Sequence, residues 1–259
     1  YPRAFRRFFV DEKRLGSPHS WSNSRRVSSY RVDCTSIVVV LRHFALGGVK
    51  RLQILLTGAA GFIGSATALE LAQRGNRVLA IDNFSSYYSV SLKEKRVSVL
   101  LQHPLIEFKQ CELADQLQVR ELFSDKSFSS VVHLAAQAGV RVSISAWNNY
   151  TKDNLQAFSN LLVNSAEYGV PNFLFASSSS VYGNTNDLKF VERDTKPSPV
   201  SFYGATKLSN EIMAETISKA TGIKTRGLRF FTVYGPWGRP DMVYFRMIAS
   251  AINQSPFEF

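Results

Sequence analysis

"LQILLTGAAGFIG", residues 52 to 64, sets an apolar run of strand length against a turn with glycines at 58, 61 and 64, and then opens the helical pattern "FIGSATALELAQR" (62 to 74). Backbone must come close to a pyrophosphate in such a loop, where a side chain would block it. The helix N-terminus then supplies free N–H groups and the positive end of its dipole. A second apolar run, "RVLAI" (77 to 81), ends at Asp82, eighteen residues after Gly64. A carboxylate there accepts hydrogen bonds from an adenosine ribose and repels a 2′-phosphate, so the pattern favours NAD over NADP.

Downstream, "SVVHLA" (130 to 135), "NFLFAS" (172 to 177) and "KTRGLRFF" (224 to 231) read as further strands. "QLQVRELFS" (116 to 124), "TKDNLQAFSNLLVNSAEY" (151 to 168) and "YGATKLSNEIMAETISKA" (203 to 220) carry apolar residues at helical spacing, and Gly75, Gly169 and Gly222 mark C-terminal stops. Continuous apolar strands alternating with helices predict an α/β fold with a doubly wound parallel sheet covered on both faces. No internal repeat is visible. Residues 1 to 48 show neither period and are rich in Arg and Ser; the chain does not begin with Met, and its first Met is Met213. The reading places the natural start at or near Val49, with 1 to 48 as upstream translation. A basic targeting extension is the competing reading.

The formal net charge is +11, of which residues 1 to 48 contribute +6 through nine Lys/Arg against three acids. The remaining +5 over 211 residues suits an anionic small molecule as well as it suits nucleic acid. No apolar run reaches the roughly 18 residues that cross a bilayer, so no membrane partner is expected. The two cysteines, Cys34 and Cys111, stand in no metal-ligand or redox spacing. That fits a reducing, cytoplasmic setting with no metal site.

Two short stretches carry candidate chemistry. In "YGATK", Tyr203 and Lys207 are spaced i, i+4 and share a helix face. A phenol with its free pKa of about 10 is a poor base at neutral pH, and bringing it near 7 asks for about 4 kcal/mol from neighbouring cations. Tyr182 is the main rival, but it has no lysine one turn on. In "SSSSVYG" (177 to 183) four hydroxyls follow the buried run "NFLFA", which delivers them to the carboxyl end of a strand, where ligands sit in open α/β sheets. That placement makes the serine run a site rather than a linker.

Taken together, "GAAGFIG", "HLAAQAGVR", "SSSSVYG", "YGATK" and "LRFFTVYGPWGRPDM" resemble the extended short-chain dehydrogenase/reductase family, and within it the UDP-glucuronate 4-epimerases. The resemblance covers about residues 49 to 259. It implies a Rossmann-type NAD domain over 49 to 231, with 232 to 259 as the beginning of a substrate-binding region whose remainder is missing. By position, the family's hydroxyl, tyrosine and lysine fall on Ser178, Tyr203 and Lys207. Ser180 points the same way as Ser178 by strand alternation and becomes a second substrate contact, whereas Ser177 and Ser179 point elsewhere. Cofactor contacts carry over to Gly58, Gly61, Phe62, Ile63, Gly64, Asp82, Asn83, Leu113, Leu134, Ala135 and Ala136, besides Tyr203 and Lys207. Glu112 stands where the family commonly has Asp near the adenine. Asn154 matches a position near the nicotinamide ribose, and a buried helix asparagine held by backbone is an equal alternative. Substrate contacts carry over to Thr232 and Arg239, with Arg141 a weaker candidate for the same charge.

The implied reaction is 4-epimerisation of a UDP-hexuronate: transient oxidation at C4 and re-reduction from the other face, with NAD regenerated. Arg239 matches the family arginine that faces the uronate carboxylate, which a guanidinium can bind through two parallel hydrogen bonds. Oxidation at C4 makes a β-keto acid, which loses CO2 readily if its carboxylate bond aligns with the carbonyl π system, so a firm clamp separates epimerase from decarboxylase. Dehydratases of the group need an acid pair directly after the triad hydroxyl, and Ser179 and Ser180 stand there instead. The rival enzymes are UDP-glucuronate decarboxylase and UDP-glucose 4-epimerase. A catalytically silent nucleotide- or nucleic-acid-binding protein is the rival of another kind. The resemblance also implies a homodimer through the helices at 151 to 168 and 203 to 220.

Overall fold

The computed structural model describes residues 51–139, 147–184, 190–192 and 196–257. The N-terminal segment 1 to 48 and Arg141 lie outside the described residues. Six parallel strands form one sheet: β1 (Gln53–Thr57), β2 (Arg77–Asp82), β3 (Ile106–Gln110), β4 (Ser130–His133), β5 (Asn172–Ser178) and β6 (Lys224–Phe230), in the spatial order β3-β2-β1-β4-β5-β6. The order reverses beside β1, and that switch opens a crevice at the carboxyl ends of β1 and β4.

Strand periodicity feeds two separate cores. Leu55, Leu79, Val131 and Phe173 point to one face, where they meet Val119, Leu122 and Phe123 of α3 (Gln116–Ser124) and Phe158, Leu161 and Leu162 of α5 (Ala157–Glu167). Ile54, Leu56, Val78, Ala80, Val132 and Leu174 point to the other, against Ala68, Leu71 and Ala72 of α1 (Phe62–Gln73). Each Val, Leu, Ile or Phe among them contributes about 1.5–3 kcal/mol on burial, and the division explains why the strands read as continuous rather than alternating. The doubly wound sheet expected from the sequence is therefore the one observed.

Three elements have no counterpart in the sequence reading: the strand β3, the helix Val90–Leu100 and the helix Val243–Ile252. β3 lies at the sheet edge and buries only Ile106, so "IEFKQ" carries little apolar signal. Helix α2 (Val90–Leu100) buries Lys93, Arg96, Val97 and Leu100, an i, i+3, i+4, i+7 face in which cations hold two of four places. A hydrophobicity count misses such a helix. The predicted helix over 151 to 168 is also not uniform: it begins as α4 (Trp147–Tyr150), passes through a π turn (Thr151–Gln156) and continues as α5. The last helices are α6 (Phe202–Thr221), stopped by Gly222 in a left-handed conformation, and α7 (Val243–Ile252), none of whose residues is buried.

Candidate active site

The loop from β1 into α1 is shaped by what cannot be added to it. Gly58 has φ +74, and a Cβ there would sit 2.6 Å from the Ala135 amide nitrogen. At Gly64 a Cβ would come within 1.9 Å of the Gly58 carbonyl oxygen, so helix and loop meet only without side chains. Gly61 is the N-cap of α1; no side chain caps the helix, and its first turn holds no acid. The positive end of α1, with Phe62 and Ile63, therefore borders the crevice with no acid of its own first turn against it. Asp82, at the end of β2, fixes the loop: its carboxylate accepts from the Ala60 amide at 3.0 Å and from the Phe84 amide at 2.8 Å. Burial raises its pKa, and these bonds together with the Lys93 charge oppose the rise.

On the β4 side, His133 and Thr57 share a hydrogen bond of 2.8 Å, and the Ala135 amide donates to the same Thr57 oxygen at 3.3 Å. Complete burial, with the Lys207 charge adding to it, pushes the His133 pKa down to about 3, so the ring is neutral at working pH. That arrangement sets Leu134, Ala135 and Ala136 along the cavity wall. Further out, Asn83 donates to Glu112 at 3.4 Å, and Lys152 of the π turn donates to the same carboxylate at 2.9 Å. Burial of Glu112 would raise its pKa, but the Lys152 and Ala114 hydrogen bonds outweigh it and the net shift is downward. Leu113 lines the same end.

Ser178, Tyr203, Lys207, Thr232 and Arg239 converge on the cavity that begins at the glycine loop. Tyr203 stands in the first turn of α6, whose N-cap Ser201 accepts from the Gly204 amide at 3.0 Å. Lys207, one turn on, is 1% exposed; its ammonium donates to the Ala176 carbonyl at 2.8 Å and lies 5.9 Å from the Tyr203 ring centre. Burial pushes the Lys207 pKa down to about 8. Burial also raises that of Tyr203, and a hydrogen bond with Ser178 and the charge of Arg239 oppose the rise. In the chain alone, desolvation is the larger effect on both groups. Arg239 is held by Asp241, its Nε donating at 3.0 Å and its Nη2 pairing with the second carboxylate oxygen, and its guanidinium carbon lies 5.6 Å from the centre of the Tyr87 ring.

Two predicted residues do not join this group. Strand β5 ends at Ser178, and residues Ser179–Val181 turn as a 3-10 helix, so alternation does not extend to Ser180. Its amide donates to the Ser178 hydroxyl at 3.1 Å, and its side chain is not among the cavity residues. Asn154 is 1% exposed and engaged on every side: its carbonyl accepts from the Gln137 amide at 2.8 Å, and its amide donates to the Gln137 carbonyl and the Thr206 hydroxyl, each at 3.1 Å. It pins the loop after β4 to α6 rather than facing the cavity. Ser177 donates to Glu211, which also binds Arg229 through two bonds of 2.9 and 2.8 Å.

The cavity also includes Ser85, Tyr87, Tyr88 and Lys93, which the sequence reading did not reach. Lys93 donates to the Ser85 carbonyl at 2.7 Å and lies 4.6 Å from the Tyr88 ring centre. The available signal was the spacing of Lys93, Arg96, Val97 and Leu100, which becomes a buried face once arginine and lysine are allowed to occupy it.

Fold and loop define a dinucleotide-binding α/β protein of Rossmann type, with a serine, tyrosine and lysine at the mouth of its sheet. Residues 54–258 match the profile of the NAD dependent epimerase/dehydratase family, and the chain belongs to that family. It is 43% identical over 207 residues to Protein CapI of Staphylococcus aureus, covering 80% of this chain and 62% of that one. UDP-glucuronate 4-epimerase 6 of Arabidopsis thaliana is 46% identical over 195 residues, which are 75% of this chain and 42% of the relative. Among solved structures, the UDP-glucuronic acid 4-epimerase of Bacillus cereus, in complex with UDP-glucuronic acid and NAD, superposes with a TM-score of 0.72 at 34% identity, covering 79% of this chain and 64% of that one. The chain thus spans less than two thirds of the length of these relatives.

Proposed function

We propose that this chain carries the cofactor and catalytic part of an NAD-dependent UDP-glucuronate 4-epimerase. The observation that carries the reading is the convergence of Ser178, Tyr203, Lys207 and Arg239 on one cavity with the glycine loop at its other end. NAD fits that end: the loop admits backbone where a Cβ would collide, α1 presents an uncapped N-terminus, and the Asp82 carboxylate at the end of β2 lines the same cavity. Gly58, Gly61, Gly64, Asp82, Asn83 and Glu112 would hold it. When bound, NAD supplies the hydride acceptor and donor for C4 of the sugar.

The chain's own residues do the rest. Tyr203 takes the proton of the 4-hydroxyl and later returns it; Ser178 hydrogen-bonds the phenol and steadies the oxygen that loses the proton. Lys207 contributes a cation that the phenolate form needs, and Arg239 and Thr232 hold the uronate end. A fixed carboxylate keeps the β-keto acid out of the alignment that releases CO2. The segment 232 to 259 serves as the beginning of the substrate region, and the chain works in the cytoplasm as a homodimer. Among the described residues no helix is long and apolar enough to cross a membrane.

Proton NMR of UDP-glucuronate incubated with the protein and NAD tests the reading. UDP-galacturonate is the expected product; UDP-xylose would make the protein a decarboxylase, and turnover of UDP-glucose alone would make it a neutral-sugar epimerase. Arg239→Ala should lower kcat/KM for UDP-glucuronate by about 10²-fold, the value of a lost charge-assisted bidentate contact, and leave that for UDP-glucose within about threefold. Equal loss on both sugars would remove Arg239 from carboxylate recognition.

A further inference from the structure

Arg96 of α2 is 2% exposed and forms no ion pair among the described residues. Its Nη1 donates to the Ala60 carbonyl at 3.0 Å and to the Tyr88 hydroxyl at 2.7 Å; its Nη2 donates to the Trp237 carbonyl at 2.6 Å, with the Gly238 carbonyl at 3.4 Å. Its Nε is buried without a partner. A guanidinium withdrawn from water without a carboxylate is costly, whereas its neighbours on the buried face, Val97 and Leu100, are apolar. Its placement is better explained by what it joins.

Ala60 lies inside the glycine loop, where its amide is bound by Asp82. Trp237 and Gly238 directly precede Arg239, and Trp237 holds φ +63, a left-handed conformation that a tryptophan adopts only when its surroundings impose it. The Arg96 bond to the Trp237 carbonyl is such a constraint. Tyr88, also bound to Arg96, is adjacent in sequence to Tyr87, which lies against the Arg239 guanidinium. One buried side chain therefore connects the dinucleotide loop to the residues that set Arg239 in place.

We propose that Arg96 is a positioning residue for carboxylate recognition: it fixes the 237–238 backbone to the glycine loop, so that Arg239 is aimed from the dinucleotide half of the site. The proposal rests on the function proposed above for Arg239. Arg96→Met keeps the side-chain volume without donors, and Arg96→Lys, which reaches one carbonyl where arginine reaches three, serves if the first variant does not fold. Turnover of UDP-glucuronate and UDP-glucose is measured for each, with and without Arg239→Ala. The preference for the uronate should fall about tenfold, carried by KM, and the Arg96 substitution should add nothing to that loss once Arg239 is alanine. Equal losses on both sugars, or effects that multiply in the double variant, would overturn the proposal. If the wild-type protein does not turn over UDP-glucuronate, the function reading fails and the positioning claim is decided by the fluorescence anisotropy of Trp237, taken as the difference from Trp237→Phe. A lower value in the Arg96 variants supports the claim, and an unchanged value overturns it.

Discussion

Tyr203→Phe is expected to lower kcat on UDP-glucuronate by about 10³-fold, within the span that a positioned acid or base contributes, while binding of the sugar nucleotide changes by no more than about threefold. The expectation follows from where the phenol stands. It is half-buried in the first turn of α6, beside Ser178 and in the cavity that Arg239 also lines. Burial raises its pKa in the chain alone, and only the Ser178 bond and the Arg239 charge work the other way. Proton removal is therefore the step most dependent on this one oxygen. The rate in wild type should climb with pH as the phenolate becomes accessible, and the phenylalanine variant should lose that dependence. A variant that keeps more than a tenth of the wild-type kcat would remove Tyr203 from the proton transfer. Isothermal titration separates binding from chemistry.

Lys207→Met should cost at least about 10²-fold in kcat and yet make the fold more stable at neutral pH. Burial holds the ammonium's pKa at about 8, against the ordinary 10.5. The unfolded chain thus binds this proton more tightly than the folded one, and below pH 8 folding carries the whole penalty. The shift is worth about 3 kcal/mol, and the Ala176 carbonyl losing its donor takes back about 1. Between pH 8 and 10.5 the wild-type chain sheds its proton and the penalty disappears, so the advantage of methionine should shrink across that window. Urea unfolding at pH 7 and pH 10 measures it. A methionine variant less stable than wild type at pH 7, or an advantage that does not change with pH, would show that the buried charge is compensated by something other than the Ala176 carbonyl.

The parts legible in the sequence are those where one residue type is forced. Gly58 and Gly64 had to be glycine because backbone occupies the space of their Cβ atoms, so the loop declares itself in "GAAGFIG". β1, β4 and β5 are covered on both faces, and their apolar runs were sufficient. Legibility failed where burial is polar or where a helix departs from its period. Helix α2 hides behind Lys93 and Arg96, whose charges are absorbed by Ser85 and Tyr88 in the loop just before it and by Ala60 and Trp237, 36 and 141 residues away. Ser180 was assigned by strand alternation, but alternation stops at Ser178, where the amide of Ser180 itself folds back on the Ser178 hydroxyl. Asn154 could be read either way, and Gln137 and Thr206, 17 and 52 residues away, decide how its amide is used.

The π turn at Thr151–Gln156 acts as a phase shifter between two docking faces. On its N-terminal side, Tyr150 is buried with its hydroxyl directed at the Ala138 and Gly139 carbonyls; on its C-terminal side, Phe158, Leu161 and Leu162 enter the core beneath the sheet. Each residue of an α-helix advances about 100° around the axis, so a straight helix of the same sequence could satisfy one of these faces only by turning the other away. The wider turn absorbs that mismatch within six residues. Deleting one residue there would let a plain α-turn join the two faces in phase, at the expense of the contacts the wide turn itself carries, Asn154 with Gln137 and Lys152 with Glu112.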